Sequence, residues 1–313
     1  MRRTGGGARY HGRSTVTSHA AGVRPTITDT EFRLLRDLIH REAGIQLPDG
    51  KMTLLASRLR KRVRALGLPS FGAYYRHVVD HPDAGELLHL LDCISTNETR
   101  FFREPQQFTF LDEVVFPAWY AAARLGGRPK RVRVWSAACS TGEEPYSLAM
   151  ALLHHFPPTD GWHVEVVATD ISTRALAQAS AGVWPVERAA HIPHGYLKRF
   201  MQRGTRSRQG EMRAGAELRS VITFRRLNLH AARYTGVGLC DLIVCRNVLM
   251  YFSREARTGA VARMLPHLAP SGYLLVGHAE SLGRVSNEIR TVQPTVYRPE
   301  RRSAPLGALP NAG

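Results

Sequence analysis

The segment from Arg131 to Ser147 constrains the fold more than any other part of the chain. Val132 and Val134 supply the β-branched bulk of a buried strand, and the residues after Trp135, up to Gly142, are nearly all small. Two glutamates and a proline come next. They suit a first helical turn, because acids face the positive end of the helix dipole and proline needs no N–H partner there. The segment therefore predicts a buried strand, a tight turn and a helix.

A second apolar segment, His163 to Asp170, has the pattern of another buried strand and ends in a carboxylate. Together the two segments give the order strand, turn, helix, strand and terminal acid. This order is typical of the site for nucleotide-type cofactors in doubly wound α/β sheets. The turn has only one glycine, Gly142, and two acids follow it, which disfavours a phosphate and favours a cation. An acid at Asp170 would bind a ribose. This combination describes S-adenosylmethionine better than NAD or ATP, while a cofactor-free tight connection is the less consistent alternative.

Helical periodicity dominates the region before this sheet. Thr28 and Glu31 form a capping-box pattern ahead of apolar residues at helical spacing, and further helices are predicted from about Lys51, from about Ser70 and over 86–94. The expected domains are a helical domain at 27–95, a linker and connecting helix at 96–130, and an α/β domain at 131–298, between disordered tails at 1–26 (basic) and 299–313.

Further strands are predicted at 221–227, 241–245 and 273–277, and the segment 285–298 suits a terminal antiparallel pair. The polar stretch 199–221 is rich in Gly, Arg and Gln, and it is too long for an ordinary tight connection. Its periodicity fits a hairpin and disorder equally well.

The chain carries 43 lysines and arginines against 26 aspartates and glutamates, a formal net charge of +17. This excess predicts an acidic partner. Nucleic acid is the generic partner of so basic a chain, but neither zinc-ligand spacing nor an aromatic RNA-binding strand is present. An acidic protein surface fits the charge equally well, and we do not expect a nucleic-acid partner.

Other classes of protein are disfavoured by composition. No apolar run approaches the ~20 residues of a membrane span, and the N-terminal residues lack the apolar region of a secretory signal. Cys93, Cys139, Cys240 and Cys245 show no paired spacing, which favours reduced thiols. We expect a cytoplasmic protein with no metal site and no membrane insertion.

Six motifs, in this order, resemble those of the CheR family over nearly the whole chain, from about Thr28 to Arg298. They are STNETRFFRE at 95–104, WSAACSTGEEPYS at 135–147, ATDI at 168–171, GVW at 182–184, CRNVLMYF at 245–252 and GHAESL at 277–282. CheR enzymes are S-adenosylmethionine-dependent methyltransferases that esterify glutamate side chains of bacterial chemoreceptors. The resemblance implies this activity, a Rossmann-like fold with an N-terminal helical domain, and a small antiparallel β insert within 199–221.

The resemblance also implies a set of residues that bind S-adenosylmethionine and its product, S-adenosylhomocysteine: Asn97, Thr99, Arg103, Glu144, Asp170, Asn228, Leu229, Asn247 and Val248. Glu144 would accept from the methionyl ammonium, and it could equally be a simple acid at a helix start. Asp170 would accept from the ribose, and it could also cap the next helix. Asn228 would lie near the adenine or act only as a turn residue.

Two candidates for the reaction centre are Arg103 and Tyr251. Arg103 could hold the cofactor or bind the incoming glutamate with its planar fork, and the sequence does not separate these roles. Tyr251 could instead pack in the core with Phe252. A glutamate carboxylate has a reference pKa of about 4.3, so it is already ionised near pH 7 and needs no general base. The absence of a Ser-His-Asp or metal constellation therefore fits the chemistry.

A dense basic run on a helix of the first domain is the candidate substrate-docking face, comprising Arg58, Arg60, Lys61, Arg62 and Arg64. Leu59 and Val63 would point inward, which leaves these charges outward. Such a run is often only a solvated face, but the acidic cytoplasmic helices of membrane chemoreceptors would complement it. A receptor C-terminal tail peptide is a further candidate partner, through the β insert. The competing hypotheses are a methyltransferase acting on RNA, DNA or another protein, and a non-catalytic signalling scaffold.

Overall fold

The computed structural model describes residues 25–82, 85–282 and 288–300. The tails expected at 1–26 and 299–313 lie almost wholly outside these residues. Of the first tail only Pro25 and Thr26 are described, and Pro299 belongs to the last strand.

The N-terminal domain is helical. Its helices are α1 (Asp29–Ala43), α2 (Met52–Ala65), α3 (Phe71–Asp80) and α4 (Glu86–Ile94). Thr28 and Glu31 form the capping box expected at the start of α1, and Gly44 ends that helix in the left-handed region at φ 70°. Leu35, Ile39 and Leu59 are fully buried between the helices. Their burial confirms the helical periodicity that the sequence shows.

A linker connects this domain to a helical arm that packs on the sheet. The arm runs as α5 (Pro105–Phe110), a π-helical turn (Leu111–Val115) and α6 (Phe116–Arg124). Phe116 and Trp119 are buried in the same core as the sheet's Val132 and Val134. The arm therefore covers one face of the sheet.

The central sheet is seven-stranded within the described residues, in the order β6-β2-β1-β7-β8-β10-β9. The strands are β1 (Arg131–Ala137), β2 (His163–Asp170), β6 (Ile222–Arg226), β7 (Cys240–Cys245), β8 (Leu268–Val276), β9 (Ile289–Gln293) and β10 (Val296–Pro299). Pairing is parallel from β6 to β8 and antiparallel at β10 and β9. This topology confirms the α/β sheet and the terminal antiparallel pair.

Helices pack on both faces of the sheet. They are α7 (Glu143–His155), α8 (Thr173–Ala181), α10 (Ala216–Ser220) and α11 (Arg254–Met264). Every residue of α7 from Glu143 to Leu153 is buried, whereas α11 buries Ala256, Ala260, Val261 and Met264 on the opposite face. The sheet therefore lies between two hydrophobic layers, with its strand ends free to form a site.

A second, three-stranded antiparallel sheet follows α8. Its strands are β3 (Val183–Pro185), β4 (Met201–Arg203) and β5 (Glu211–Ala214), in the order β3-β5-β4, with α9 (His194–Phe200) between the first two. The sequence placed this insert at 199–221, but the small sheet begins earlier, at Val183. A three-residue strand is too short to show alternation, which is why β3 escaped detection.

Candidate cofactor site

One cavity opens at the carboxyl ends of β1, β2, β6 and β7. All nine residues expected to bind the cofactor line it, together with Tyr251: Asn97, Thr99, Arg103, Glu144, Asp170, Asn228, Leu229, Asn247 and Val248. Ligands bind at this edge in open α/β sheets, because the loops after parallel strands converge there. The structure therefore brings together residues that are spread in sequence from Asn97 to Tyr251, while their individual roles stay predictions.

The turn after β1 is the floor of the cavity, and its backbone is unusual. Ala138, Ser140 and Gly142 have φ of 67°, 51° and 100°, which lie in the left-handed region. At Gly142 a Cβ would lie only 2.9 Å from the Cβ of Ala179. Glycine is therefore required there by conformation and by space, so the single glycine of the turn sits where the fold needs it.

Asp170 holds this turn against β2. Its Oδ2 accepts from the backbone N–H of Ser140 at 2.8 Å and its Oδ1 from that of Ser172 at 2.9 Å. The N-cap of α8 is Ser172, not Asp170, because the Ser172 hydroxyl accepts from the N–H of Ala175. Burial raises the pKa of the Asp170 carboxyl, and the two backbone donors oppose that rise. A carboxylate offers about four acceptor positions, so capacity for ribose hydroxyls remains.

Glu144 is buried at the start of α7 and is paired with Arg246, which follows β7. The Arg246 Nε donates to Glu144 Oε2 at 2.8 Å, and the Ser136 hydroxyl donates to Oε1 at 2.6 Å. Burial raises the pKa of Glu144, and the Arg246 charge opposes the rise. Glu144 is thus more than a dipole-complementing acid, and an ammonium group would be its third partner.

Sequence reasoning missed Arg246. It is 6% exposed, and its Nη1 also donates to the carbonyl of Arg103 and to Gln107 Oε1. An arginine directly after the apolar run from Leu242 to Cys245 was the available signal, since so buried a cation needs a carboxylate partner.

Glu280 was also missed, and it organises the loop that carries Asn247. Its carboxylate accepts from the backbone N–H groups of Asn247, Met250 and Gly277 at 2.7 to 3.0 Å. Asn247 itself has φ 59°, and its Nδ2 lies 3.4 Å from Glu104 Oε1. The Glu280 carboxylate therefore fixes the backbone of this loop, and the side chain of Asn247 lines the cavity.

Asn228 joins the two domains at the cavity wall. Its Nδ2 donates to the carbonyl of Glu42 at the end of α1, and its Oδ1 accepts from the N–H of His230. It therefore has the turn-forming role that the sequence allowed, in addition to its place at the cavity. Leu229 is buried beside it and supplies an apolar wall.

Further backbone contacts seal this wall. Ile45 forms an isolated antiparallel bridge with Phe252, and the N–H of Gln46 donates to the carbonyl of Tyr251 at 2.7 Å. Phe252 is buried, but the Tyr251 side chain is 38% exposed and lines the cavity. Core packing therefore describes Phe252 and does not describe Tyr251.

The linker residues 95–103, which we call the lid, line one side of the cavity through residues 95–99 and Arg103. The Ser140 hydroxyl donates to the carbonyl of Asn97 at 3.1 Å, and the N–H of Phe102 donates to the Ser147 hydroxyl at 2.9 Å. Within the lid, the side chain of Phe101 is buried. The Nη1 of Arg103 donates to the carbonyl of Glu98, a contact within the lid itself.

The basic run on α2 differs from the expected outward face. Arg62 forms an ion pair with the buried Glu86 of α4, with Nε 2.9 Å from Oε1, and the Tyr74 hydroxyl donates to the same carboxylate. Arg58 donates to the Ile94 carbonyl and to the Thr96 hydroxyl at the start of the lid. These two arginines are therefore not free surface charges, because their guanidinium groups are hydrogen-bonded to other parts of the protein. Lys61 and Arg64 are exposed, and Arg60 is half-buried.

Thiols and metal ligands add nothing to the site. The four cysteines are free, and no cluster of metal-binding side chains occurs among the described residues. Over the same part of the chain, no helix is both long and apolar enough to cross a membrane.

The residues present fit S-adenosylmethionine. Asp170 retains acceptor capacity for a ribose, Leu229, Val248 and Ile171 offer apolar surface to a base, and Arg246 is already neutralised by Glu144. A phosphate would meet the carboxylates of Glu144 and Asp170 at the floor of the cavity, which is unfavourable.

Comparison with known proteins agrees with this geometry. The family model described as the CheR methyltransferase all-alpha domain matches residues 30–95, and the one described as the CheR methyltransferase SAM binding domain matches residues 97–298. The relative named chemotaxis protein methyltransferase 2 of Pseudomonas aeruginosa is 39% identical over 272 residues, covering 87% of this chain and 94% of the relative. The chemotaxis protein methyltransferase of Escherichia coli is 37% identical over 275 residues, covering 88% and 92%.

A third relative, the chemotaxis protein methyltransferase of Salmonella typhimurium, is 36% identical over 275 residues, covering 88% of this chain and 91% of the relative. Identity at this level over both domains shows common descent. The chain belongs to the CheR methyltransferase family and is an S-adenosylmethionine-dependent methyltransferase with an N-terminal helical domain.

Proposed function

We propose that this protein transfers the methyl group of S-adenosylmethionine to glutamate side chains of bacterial chemoreceptors and thereby forms methyl esters in chemotaxis adaptation. The observation that carries the proposal is the convergence of the lid, Asp170 and Asn247 on one cavity at the sheet edge. The names of the relatives support the biological setting, since each is called a chemotaxis protein methyltransferase.

Within this cavity, Asp170 accepts from the ribose hydroxyls, and Glu144 accepts from the methionyl ammonium while Arg246 keeps it ionised. Asn228, Leu229 and Val248 surround the adenine. Asn97 and Thr99 cover the cofactor from the lid. The lining of the cavity and the remaining acceptor capacity of the two carboxylates support these roles.

Bound S-adenosylmethionine supplies an electrophilic methyl group, so the protein has to align the acceptor and exclude water. A glutamate carboxylate attacks without a general base, because it is ionised near pH 7. Arg103 orients that carboxylate through its guanidinium, and Tyr251 lines the same cavity. Both side chains reach the cavity, and neither is committed to the hydrophobic core.

A groove next to the lid, whose lining includes Arg100, Arg103 and Arg188, supports an acidic protein substrate. It shares Glu98, Thr99 and Arg103 with the cofactor cavity and adds Arg100, Arg188 and His191. The acceptor glutamate reaches Arg103 through this groove. The substrate is an acidic cytoplasmic helix of a membrane chemoreceptor, so the enzyme works in the cytoplasm.

Lys61 and Arg64 form the exposed part of the docking face on α2, with Arg60 partly accessible. Arg58 and Arg62 act mainly through their contacts within the protein. A receptor tail peptide is a second contact, at the small sheet, whose strand β4 is an edge strand. Edge strands accept extended peptides by β-augmentation, which supports this part of the proposal.

The experiment is incubation of the protein with methyl-labelled S-adenosylmethionine and receptor-containing membranes, followed by mild alkali. A carboxyl ester releases labelled methanol from a protein band, whereas an N- or C-methyl group does not. Alkali-stable label would show that the acceptor is not a carboxylate, and label in added RNA would show that the acceptor is a nucleic acid. Tight S-adenosylhomocysteine binding with no transfer to any acceptor would favour the scaffold hypothesis.

A further inference from the structure

The lid is held from outside by three residues that flank the small sheet. Trp184 of β3 packs edge-on against Phe101, with ring centres 5.0 Å apart. Tyr196 of α9 stacks on Phe102 at 5.4 Å. Between these two residues in sequence lies the 3-10 helix Val186–His191, whose Arg188 donates from Nη1 to the carbonyl of Thr99 at 2.8 Å. The segment from Trp184 to Tyr196 thus contacts the lid at Thr99, Phe101 and Phe102.

The contact through Arg188 is polar and reaches the cofactor cavity itself. Thr99 lines that cavity, and its carbonyl is the acceptor. The same Nη1 lies 4.0 Å from Oε1 of Glu143, a carboxylate that is 2% exposed at the start of α7. Burial raises the pKa of Glu143, and the Arg188 charge opposes that rise. The guanidinium therefore bridges the lid to the helix that carries Glu144.

We expect the fold to be retained without this contact. The Arg188 side chain is 47% exposed, whereas Phe101 and Trp184 are buried and pack together without it. Glu143 also keeps its bond from the Thr141 hydroxyl at 2.6 Å. Loss of the guanidinium would therefore release the lid at Thr99, between Asn97 and Arg103, and leave the aromatic contacts in place.

We infer that Arg188 is a positioning residue of the methyl-transfer site, which keeps the lid over the cofactor by holding the Thr99 carbonyl. It is part of the segment that connects β3 and α9, so the small sheet and the lid are mechanically linked through it. The inference rests on the proposed role of the lid in covering the cofactor.

The test compares Arg188→Ala with Arg188→Lys, which keeps a charged donor, and with Arg290→Ala, which removes an exposed arginine from the edge strand β9. We expect Arg188→Ala to weaken S-adenosylhomocysteine binding about three- to tenfold by calorimetry. Amide hydrogen exchange of residues 97–103 should rise in the same variant. Arg188→Lys should restore most of both properties, and Arg290→Ala should change neither. The melting temperature should stay close to that of the wild type, because the side chain is half exposed.

Unchanged affinity and unchanged lid exchange in Arg188→Ala would overturn the inference, as would equal losses in Arg290→Ala. If Arg188→Ala is poorly folded, Arg188→Gln, which loses the charge and keeps most of the stem, takes its place in the same comparison. Neither readout requires a methyl acceptor. Failure of the proposed function would appear separately, as absence of alkali-labile methanol with the wild-type protein.

Discussion

Arg246 and Glu144 form a buried ion pair 2.8 Å long, between the loop after β7 and the first turn of α7. Their side chains are 3% and 10% exposed. The pair ties together two of the strand ends between which the cofactor cavity opens, so the shape of the cavity depends on it. Burial raises the pKa of the Glu144 carboxyl, and the charge of Arg246 opposes that rise by favouring the ionised form.

Arg246→Ala should therefore be strongly destabilising. The variant leaves the Glu144 carboxylate buried with Ser136 as its remaining donor, and breaking a buried pair from one side costs about 3–5 kcal/mol of unfolding free energy. Urea denaturation measures the loss. Arg246→Lys, which keeps the charge but not the fork, should lose less. A loss below about 1 kcal/mol in the alanine variant would mean that water solvates the carboxylate.

Asp170→Ala should weaken the binding of both S-adenosylmethionine and S-adenosylhomocysteine. Loss of charge-assisted hydrogen bonds to the ribose should cost about 1.5–3 kcal/mol, which is roughly tenfold to a hundredfold in affinity. The turn at Ser140 also loses its acceptor, so some stability should be lost as well. Calorimetry on the folded variant is the measurement, and unchanged affinity would remove Asp170 from the ribose site.

Cofactor affinity should fall in acid. Burial raises the pKa of the Asp170 and Glu144 carboxyls, so each takes up its proton at a higher pH than in the unfolded chain. Their contribution to folding stability is therefore greatest at low pH and is lost as the pH rises through the folded pKa. Ligand binding has the opposite sign, because ribose hydroxyls and an ammonium group need the ionised forms.

We therefore expect S-adenosylhomocysteine affinity to decline as the pH falls through the raised pKa values of these two carboxyls, with protons released on binding in that range. Calorimetry in two buffers of different ionisation enthalpy measures the protons. Proton uptake, or affinity unaltered down to about pH 4, would contradict this linkage.

Arg103→Ala should lower methyl transfer much more than thermal stability. The hydrogen bond that its guanidinium makes stays within the lid, to the Glu98 carbonyl, and no core contact depends on it. Initial rates at saturating cofactor and a melting curve on the same sample separate the two effects. A variant that melts several degrees earlier, but whose folded fraction is fully active, would assign Arg103 a structural role.

Reversal of Lys61 and Arg64 to glutamate should raise the KM for receptor and leave cofactor affinity intact. These two charges are exposed, so they act by long-range attraction that is screened over about 8 Å at physiological ionic strength. The defect should shrink as salt is added, because the wild-type attraction is screened as well. Steady-state kinetics at two salt concentrations provide the measurement.

The matched control for this reversal is Arg62→Ala. It should lower the unfolding free energy by about 2 kcal/mol, since it strips a partner from the buried Glu86, with a discount because the Arg62 side chain is 29% exposed. If reversal at Lys61 and Arg64 leaves the receptor kinetics unaltered at low salt, the run on α2 is only a solvated and structural face.

Local signals made much of this fold predictable. The capping box of α1, the β-branched run of β1 and the small-residue turn before α7 each encode their structure within a few neighbouring residues. Within the candidate site, Asp170 and Asn247 were predictable from their places at strand ends, where the topology of parallel strands guarantees convergence, whereas the lid residues were proposed from the resemblance to the CheR family. These features need no knowledge of distant partners.

Long-range pairs were not predictable from the sequence. Glu86 is 24 residues from Arg62, and Arg188 lies 89 residues from Thr99. A run of arginines therefore looks uniformly exposed in sequence, although the folded chain uses Arg58 and Arg62 internally. The three-residue strand β3 is a further case, because it acquires its identity only from pairing with β5.

The contact of Asn228 with the Glu42 carbonyl, and the bridge between Ile45 and Phe252, have a consequence for protein engineering. A chimera that exchanges the helical domain between two relatives transplants a wall of the cofactor pocket together with any receptor preference. In such a hybrid, a change in substrate preference would thus be accompanied by a change in cofactor affinity. Separating the two effects would require mutations at these contacts between the domains.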